Sequence, residues 1–157
     1  MASAARKIPV QDLLPHAEPM ILLSGYDVPT AAGTVASYVD ITEDSPFFER
    51  AQNGVPSCVA LEYMAQTMAL CVGLKRREEG LSPRIGYVLG TRRLDIFAPC
   101  FRRGVRYRVE VQCAFEDESF GAFDCRIVDE DGDEVAKGTL TAFQPGEAGL
   151  PSEATSD

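Results

Sequence analysis

The segment from Cys58 to Leu74 constrains this chain most, because it is almost wholly apolar and still carries a carboxylate and an amide. Its sequence, CVALEYMAQTMALCVGL, predicts a helix with hydrophobic side chains around nearly its whole circumference. Such a helix must be wrapped by other structure. Glu62 and Gln66 are four residues apart and therefore share one face. A lone buried carboxylate is costly unless it is paired, hydrogen-bonded or protonated. We therefore expect a functional reason for Glu62.

Length and hydropathy indicate one domain outside the membrane. A chain of 157 residues is large enough for a single core, and we place the domain at residues 8–144, after a short tail at 1–7. Residues 145–157 are acidic and rich in small residues, which predicts a disordered tail. Polar side chains interrupt the longest apolar run before it reaches the ~18–20 residues of a membrane span. With no secretory signal recognised, we expect a cytoplasmic protein that does not bind membranes.

The five cysteines do not predict a metal site or a disulfide framework. Their number is odd and no two are spaced as CxxC. We expect reduced and mostly buried thiols.

Charge is distributed unevenly along a chain whose net charge is −9. Residues 75–108 carry 10 basic side chains against 3 acidic ones, whereas residues 109–157 carry 2 against 13. The basic segment could attract an anionic partner. Alternatively, its arginines pair with acidic side chains on neighbouring strands. Nucleic acid is not expected as a partner, because the overall charge is negative and basic and aromatic residues do not interleave.

Periodicity predicts one long helix among about six strands. The helix should begin near Pro56 or Ser57 and end near Glu79, with Gly80 as its stop. The strands are predicted at 20–28, 33–41, 84–97, 105–115, 120–130 and 134–143, with short helical turns at 10–16 and 46–50. A mostly antiparallel sheet curled around one helix would bury all faces of that helix. Because such a helix is often shared with a second subunit, we expect a dimer.

Four strings resemble the hotdog-fold 3-hydroxyacyl-[acyl-carrier-protein] dehydratases, and in particular a divergent branch associated with aryl-polyene-type lipid clusters. They are LLPHAEPMILLSGYD (13–27), SPFFE (45–49), VPSCVALEYMAQT (55–67) and GYVLGTRRLDIFAPCFRRGVRYRVEV (86–111). The third is the most specific. The resemblance spans residues 10–143 and implies an α+β hotdog fold, with an antiparallel sheet of about six strands wrapped around one long central helix, in a dimer.

The resemblance also implies site residues. Glu62 matches the acidic residue of the family's catalytic pair, and Ser57 takes the position whose backbone N–H binds the thioester carbonyl. The family's catalytic histidine lies in the loop before the helix, and this chain has no histidine there. Its one histidine is His16, in the Leu-Pro-His string.

Dehydration of a 3-hydroxyacyl thioester needs a base for the α-proton, an acid for the departing hydroxyl and stabilisation of the enolate-like oxygen. A protonated Glu62 suits the acid role, and Gln66 could fix its orientation. His16 could be the base if the N-terminal segment folds over the site. Each of these residues could instead have a structural role. Glu62 could form an ion pair at a subunit interface, and Gln66 could bond neighbouring backbone. His16 could be a hydrogen-bonded structural imidazole, and Ser57 could cap the helix.

The resemblance also implies an anionic partner for the basic segment. An acyl carrier protein is acidic, and its phosphopantetheine arm carries a phosphate. We therefore expect Arg92 and Arg93, with Arg102 and Arg103 nearby, to contribute to binding the carrier protein. The protein itself needs no cofactor or metal, since phosphopantetheine or coenzyme A arrives with the substrate.

Three functions remain open on the sequence. The first is a 3-hydroxyacyl-thioester dehydratase of fatty-acid or polyene synthesis that gives an enoyl thioester, working as a homodimer or with a related hotdog subunit. The second is a non-catalytic or half-active subunit of a heterodimeric dehydratase. The third is a hotdog acyl thioesterase, in which Glu62 directs water or attacks the thioester.

Overall fold

One long helix and eight strands make up the fold in the computed structural model, which describes residues 7–29, 33–84 and 86–145. Six strands form one antiparallel sheet in the order β1-β2-β6-β7-β8-β4, and β3 pairs separately with β5. The elements are β1 (Gly25–Tyr26), β2 (Thr34–Asp40), β3 (Gly54–Pro56), α1 (Ala60–Glu78), β4 (Tyr87–Ile96), β5 (Cys100–Arg102), β6 (Arg106–Glu116), β7 (Phe120–Val128) and β8 (Glu134–Phe143). The predicted tails lie almost wholly outside the described residues.

Helix α1 starts and stops close to the predicted positions. A 3-10 turn at Ser57–Val59 leads into it. At its end Gly80 adopts a φ of +74°. The N–H of Gly80 donates to the carbonyl of Arg77, and the N–H of Leu81 donates to that of Arg76. Glycine permits this left-handed residue without steric cost, so the helix ends there.

The sheet packs one face against α1, as the predicted architecture requires. Helix α1 contacts β2, β6 and β7. At the centre of this contact the hydroxyls of Ser37 and Thr67 are both buried and lie 2.7 Å apart, and Thr67 also donates to the carbonyl of Tyr63. Two polar side chains are thus satisfied inside an otherwise apolar core.

The predicted strand at 20–28 is wrong over most of its length, because only Gly25–Tyr26 pairs with β2. The backbone of Met20 and Leu22 is bonded instead to the side chain of Gln66 on α1. The carbonyl of Met20 and the N–H of Leu22 therefore find hydrogen-bond partners on the helix and not on a neighbouring strand.

Two other predictions need correction. Residues 46–50 form turns, with a bridge between Glu49 and Gly54, and no helical turn. The short strands β3 and β5 were not predicted. Each has only three residues, too few for an alternating pattern to show.

Helix α1 is not covered on all sides, contrary to the prediction from its apolar circumference. Leu61 is exposed, and Glu62, Ala65, Ala69 and Val72 are only half-buried. The segment Ser57–Glu78 is long and apolar enough to cross a membrane, but the core helix of a globular fold has the same character. The incompletely covered face is where the candidate site lies.

The thiols are free but not mostly buried as predicted. Only Cys125 is buried, Cys58 is exposed, and Cys71, Cys100 and Cys113 are intermediate. Burial raises the pKa of the Cys125 thiol to about 12.

Four of the nine arginines in the basic segment (residues 75–108) pair with acids, in line with the second interpretation of the charge pattern. Arg106 binds Asp40 through two bonds of 2.6 and 2.9 Å across the β2–β6 pair. Arg108 pairs with both Asp27 and Glu110. Arg103 pairs with Glu43 in the same way. Much of the positive charge is therefore neutralised within the outer face of the sheet and its adjoining loops.

Candidate active site

A cavity of about 370 Å³ runs along the incompletely covered face of α1. Ala65, Met68, Ala69 and Val72 form its wall on the helix, and aromatic side chains of the sheet face them, namely Tyr87, Phe120, Phe123 and Phe143. Ten residues separate Glu62 from Val72, so this wall is about 15 Å long at the rise of an α-helix. A cavity of this length with an apolar wall suits an extended acyl chain.

Glu62 and His16 lie together on this cavity. The Nε2 atom of His16 is 3.7 Å from Oε1 of Glu62. Their side chains are 30% and 39% exposed, so the pair faces both the cavity and solvent. The carboxylate is therefore not lodged in a dry interior, as its sequence neighbours had suggested. The N-terminal segment thus folds over the site, which was the condition for any role of His16 there.

Gln66 fixes this arrangement from a fully buried position. Its Nε2 donates to Oε1 of Glu62 at 3.0 Å and to the carbonyl of Met20 at 2.6 Å. Its Oε1 accepts the N–H of Leu22 at 2.9 Å. One amide thereby connects the carboxylate to the segment that follows His16. Gln66 thus bonds both the carboxylate of Glu62 and neighbouring backbone, and its role in catalysis stays a prediction.

A second contact holds the N-terminal segment on α1. A Cβ added to Gly73 would lie only 2.1 Å from the carbonyl oxygen of Leu13. The backbone of Leu13 can approach the helix this closely because Gly73 has no side chain. His16 therefore lies between two anchor points, at Leu13 and at Met20–Leu22.

The other ring nitrogen of His16, Nδ1, is buried and has no hydrogen-bond partner among the described residues. A buried donor without an acceptor costs more than an acceptor left unused, because its desolvation is not compensated. The neutral ring therefore favours the tautomer with its proton on Nε2, the atom that faces Glu62.

Ser57 is not brought to the cavity. Its backbone N–H donates to the carbonyl of Pro99 at 3.2 Å, and its side chain does not line the cavity. The N–H that the resemblance assigned to the thioester oxygen is thus already bonded.

Arg92 and Arg93 lie on β4 and do not line the cavity either. Arg93 bonds Asp95 at 2.9 Å and is 81% exposed. Sequence reasoning missed Arg84, which does line the cavity, and the acidic turn 116–119 at the end where Glu116 bonds Lys75 of α1. Nothing local in the sequence of this turn shows that it packs beside Lys75 of α1.

One acidic cluster in the described residues has the spacing of a metal site. Asp129, Asp131 and Asp133 lie together in the β7–β8 turn. The carboxylate of Asp129 already accepts the N–H groups of Asp131 and Asp133, so the turn itself accounts for it.

Tyr63, the neighbour of Glu62, belongs to the core. It is 2% exposed and packs edge-on against Phe101 at 5.1 Å. Burial, with a smaller contribution from Tyr107, raises the pKa of Tyr63 above its usual range. The hydroxyl therefore stays protonated in the physiological range.

A six-stranded antiparallel sheet packed on one long helix, with an acyl-sized cavity along that helix, defines a hotdog protein. The family model described as ApeP dehydratase matches residues 8–151. The chain belongs to this ApeP-like dehydratase family. The predicted recognition, fold class and dehydratase-like function are thereby confirmed.

A sequence relative and solved structures agree with this family and this fold. The chain is 32% identical over 110 residues to a 3-hydroxyacyl-[acyl-carrier-protein] dehydratase FabZ of Anaeromyxobacter sp. (strain K), covering 66% of this chain and 67% of the relative. The dehydratase heterocomplex ApeI:P from Xenorhabdus doucetiae has a chain that superposes with a TM-score of 0.83 at 29% identity, covering 90% of this chain and 94% of that one. A hypothetical thioesterase from Streptococcus pneumoniae TIGR4, solved with coenzyme A, has a TM-score of 0.60 at 14% identity, covering 80% and 89%, and shares the fold alone.

Proposed function

We propose that this protein is the Glu62-bearing subunit of a 3-hydroxyacyl-thioester dehydratase and that it works with a second, related hotdog subunit. The observation that carries the proposal is the Glu62–His16 pair, 3.7 Å apart, at a cavity whose apolar helix wall is about 15 Å long. The solved structure that superposes with a TM-score of 0.83 over 90% of this chain is that of a dehydratase heterocomplex, ApeI:P.

Elimination of water requires two proton transfers at the substrate. A base takes the α-proton, and the electron pair of that C–H bond forms the double bond between the α and β carbons. The bond from the β carbon to its hydroxyl oxygen breaks, and the hydroxyl leaves as water with a proton from an acid. We assign the acid to Glu62. Gln66 engages Oε1, which leaves Oε2 to carry that proton towards the cavity.

His16 is the candidate base within this chain, since its Nε2 lies beside Glu62. A proton taken by His16 could return to Glu62 across this short gap and reset the pair. The favoured tautomer of His16 opposes this role, however, because Nε2 already holds the proton and Nδ1 is buried.

A base from the second subunit is therefore the second candidate. One observation favours it: Nδ1 of His16 is buried without a partner, which favours the proton on Nε2. Because the N–H of Ser57 is bonded to Pro99, the donor to the thioester oxygen would also come from elsewhere. The pair contributed by this chain would then be an acid, Glu62, with His16 as the residue that orients it. The active site is complete only in the complex.

The substrate is proposed to be an acyl group carried on the phosphopantetheine of an acyl carrier protein or on coenzyme A. Binding of the carrier protein by Arg92 and Arg93 remains a prediction, tested by titrating the carrier protein against the Arg92→Glu/Arg93→Glu variant. Unchanged affinity would remove these two residues from that role. We also expect fatty-acid or polyene synthesis in the cytoplasm as the setting.

The deciding experiment gives the purified chain a 3-hydroxyacyl thioester, alone and with its candidate partner subunit. An enoyl product supports dehydration, and free thiol would instead support a thioesterase. With the active preparation, Glu62→Gln should lower kcat by about 10²-fold or more. Glu78→Gln, at the exposed end of the same helix, is the matched control and should leave kcat unchanged.

His16→Ala separates the two candidate bases. If His16 is the base, the variant loses as much activity as Glu62→Gln. If the partner supplies the base, the complex keeps much of its activity and the chain alone has none. Full activity of both Glu62→Gln and His16→Ala would show that the site is misplaced.

A further inference from the structure

The two ends of the cavity along α1 differ in chemistry. Glu62 and His16 lie at one end, where the proposed reaction takes place. From there to Val72 the helix wall of the cavity is apolar. The other charged side chains that line the cavity are Arg84 and three carboxylates in the turn at 116–119.

These charges lie at the end far from the reacting groups. Glu116 accepts a hydrogen bond of 3.3 Å from Lys75, which lies beyond the end of the apolar wall on α1. Gln144 brings Arg84 to the same end. Its side chain donates to the carbonyl of Arg84 at 3.3 Å, and its backbone N–H donates to the carbonyl of Ser119 at 2.7 Å. The far end of the cavity is therefore polar and charged.

This charge is only partly neutralised. Arg84 is half-buried, and neither Arg84 nor Glu118 makes an ion pair within the described residues. The carboxylate of Asp117 accepts the N–H groups of Phe120 at 2.7 Å and Ser119 at 2.9 Å, which hold it in place. The same bonds lower the pKa of Asp117 below its usual value of 3.8, so this group stays ionised at neutral pH.

An alkyl chain binds more tightly for each methylene group that leaves water for an apolar wall, by about fourfold per group. At the charged end the same group would displace water from ionised side chains and give no hydrogen bond in return, which is unfavourable. Lengthening the chain should therefore increase affinity along the apolar wall and stop doing so where the charges begin.

The length of the wall gives the number of carbons. Bonds of about 1.5 Å at about 111° advance an extended carbon chain by about 1.25 Å per carbon. The helix wall between Glu62 and Val72 is about 15 Å long and so takes about 12 carbons. Because the proposed mechanism puts the β carbon beside Glu62, a chain that fills the wall has about 15 carbons in total.

We propose that Arg84, together with the turn at 116–119, limits the acyl chain of the substrate to about 15 carbons. The proposal rests on the dehydratase function above and adds the length of its substrate. Arg84 acts on the free end of the chain and takes no part in proton transfer. It is therefore a specificity-determining residue and not a catalytic one. Arg92 and Arg93, which lie on β4 outside the cavity, are not involved.

The test compares 3-hydroxyacyl thioesters of different length in wild type and in Arg84→Leu. The wild-type kcat/KM should rise from about 10 to about 14 carbons and should not rise further at about 18 carbons. In Arg84→Leu, the ratio of kcat/KM at about 18 carbons to that at about 14 should increase at least about tenfold, the gain from burying about two more methylene groups. Gln144 bonds the backbone of Arg84, so the substitution leaves this bond in place. A misfolded variant would not gain activity on the longer chain.

Arg77→Leu is the matched control. Arg77 is exposed near the end of α1, does not line the cavity and, like Arg84, makes no ion pair in the part of the chain that the structure describes. This variant should keep the wild-type dependence on chain length. Three results would overturn the proposal: a wild type that prefers the longest chain, an unchanged ratio in Arg84→Leu, or an equal increase in Arg77→Leu.

Binding of saturated acyl-coenzyme A separates this proposal from the proposed function. These thioesters have no 3-hydroxyl group and cannot be dehydrated, so their dissociation constants report chain length alone. They should show the same limit in wild type and the same shift in Arg84→Leu, with the chain alone and with its partner subunit. A limit in binding without any enoyl product from 3-hydroxyacyl thioesters would contradict the function and leave this proposal intact. Dehydration without a length limit would contradict only this proposal.

Discussion

Gln66 donates a hydrogen bond of 3.0 Å to the carboxylate of Glu62, one turn earlier on α1. The same amide is bonded to Met20 and Leu22, in the segment that carries His16. The carboxylate of Glu62, the imidazole beside it and the backbone that follows that imidazole are therefore connected through one buried side chain.

Replacing Gln66 by Met should lower both stability and activity. Methionine has a similar length but leaves the N–H of Leu22 and the carbonyl of Met20 without partners, at a cost of about 1–3 kcal/mol. Urea unfolding should show this loss, and kcat should fall because Glu62 loses the hydrogen bond that orients its carboxylate. Gln52→Met, in an exposed loop, is the control. An unchanged kcat in the folded variant would mean that Gln66 has only a structural role.

Replacing Gly73 by Ala should displace the N-terminal segment. The new Cβ would meet the Leu13 carbonyl, a backbone atom that cannot rotate away, so we expect a loss of about 1–3 kcal/mol. Hydrogen exchange of residues 13–22 should become faster. Gly86→Ala is the control, because its nearest neighbour is an ordinary 3.7 Å away. Equal exchange in both variants would contradict the close contact.

Replacing Ala69 by Phe should shorten the acyl substrates that the protein accepts. Ala69 lies on the cavity wall about one helical turn from its far end, and a phenyl ring there would narrow the channel. We expect kcat/KM for a long acyl chain to fall at least about tenfold relative to a short one. Ala51→Phe, in an exposed loop, should leave the ratio unchanged. A uniform fall for both chain lengths would indicate general damage and not a length limit.

Replacing Glu110 by Gln should destabilise the protein more at pH 7 than at pH 3. Burial raises the pKa of Glu110, but its bonds to Arg126 and Arg108 outweigh burial, so the pKa lies below its usual value of 4.5. A carboxyl whose pKa is lower in the folded state stabilises the fold above its unfolded pKa, and this contribution is lost as the pH falls through the folded pKa. Thermal unfolding should show a deficit of about 1 kcal/mol at pH 7. A deficit of the same size at pH 3 would mean that the ion pairs are not its source.

Local sequence determined the parts of this protein that depend on local interactions. The stop at Gly80 follows from a glycine that alone tolerates the left-handed conformation, and strands β6 to β8 follow from their alternating side chains. The family string around Glu62 also indicated the candidate acid, which lies on the cavity beside His16. Each of these signals lies within a few residues of the feature it predicts.

Only the tertiary structure decided how distant segments combine. The backbone of Met20 and Leu22 is bonded to Gln66, 46 and 44 residues away, and no local pattern shows that a strand-like segment will be held by a helix. The same holds for His16 beside Glu62, and for the arginines at the free edge of β4, whose position depends on the order of strands in the sheet. Packing between segments far apart in the chain determines these contacts, because their partners come together only when the chain folds.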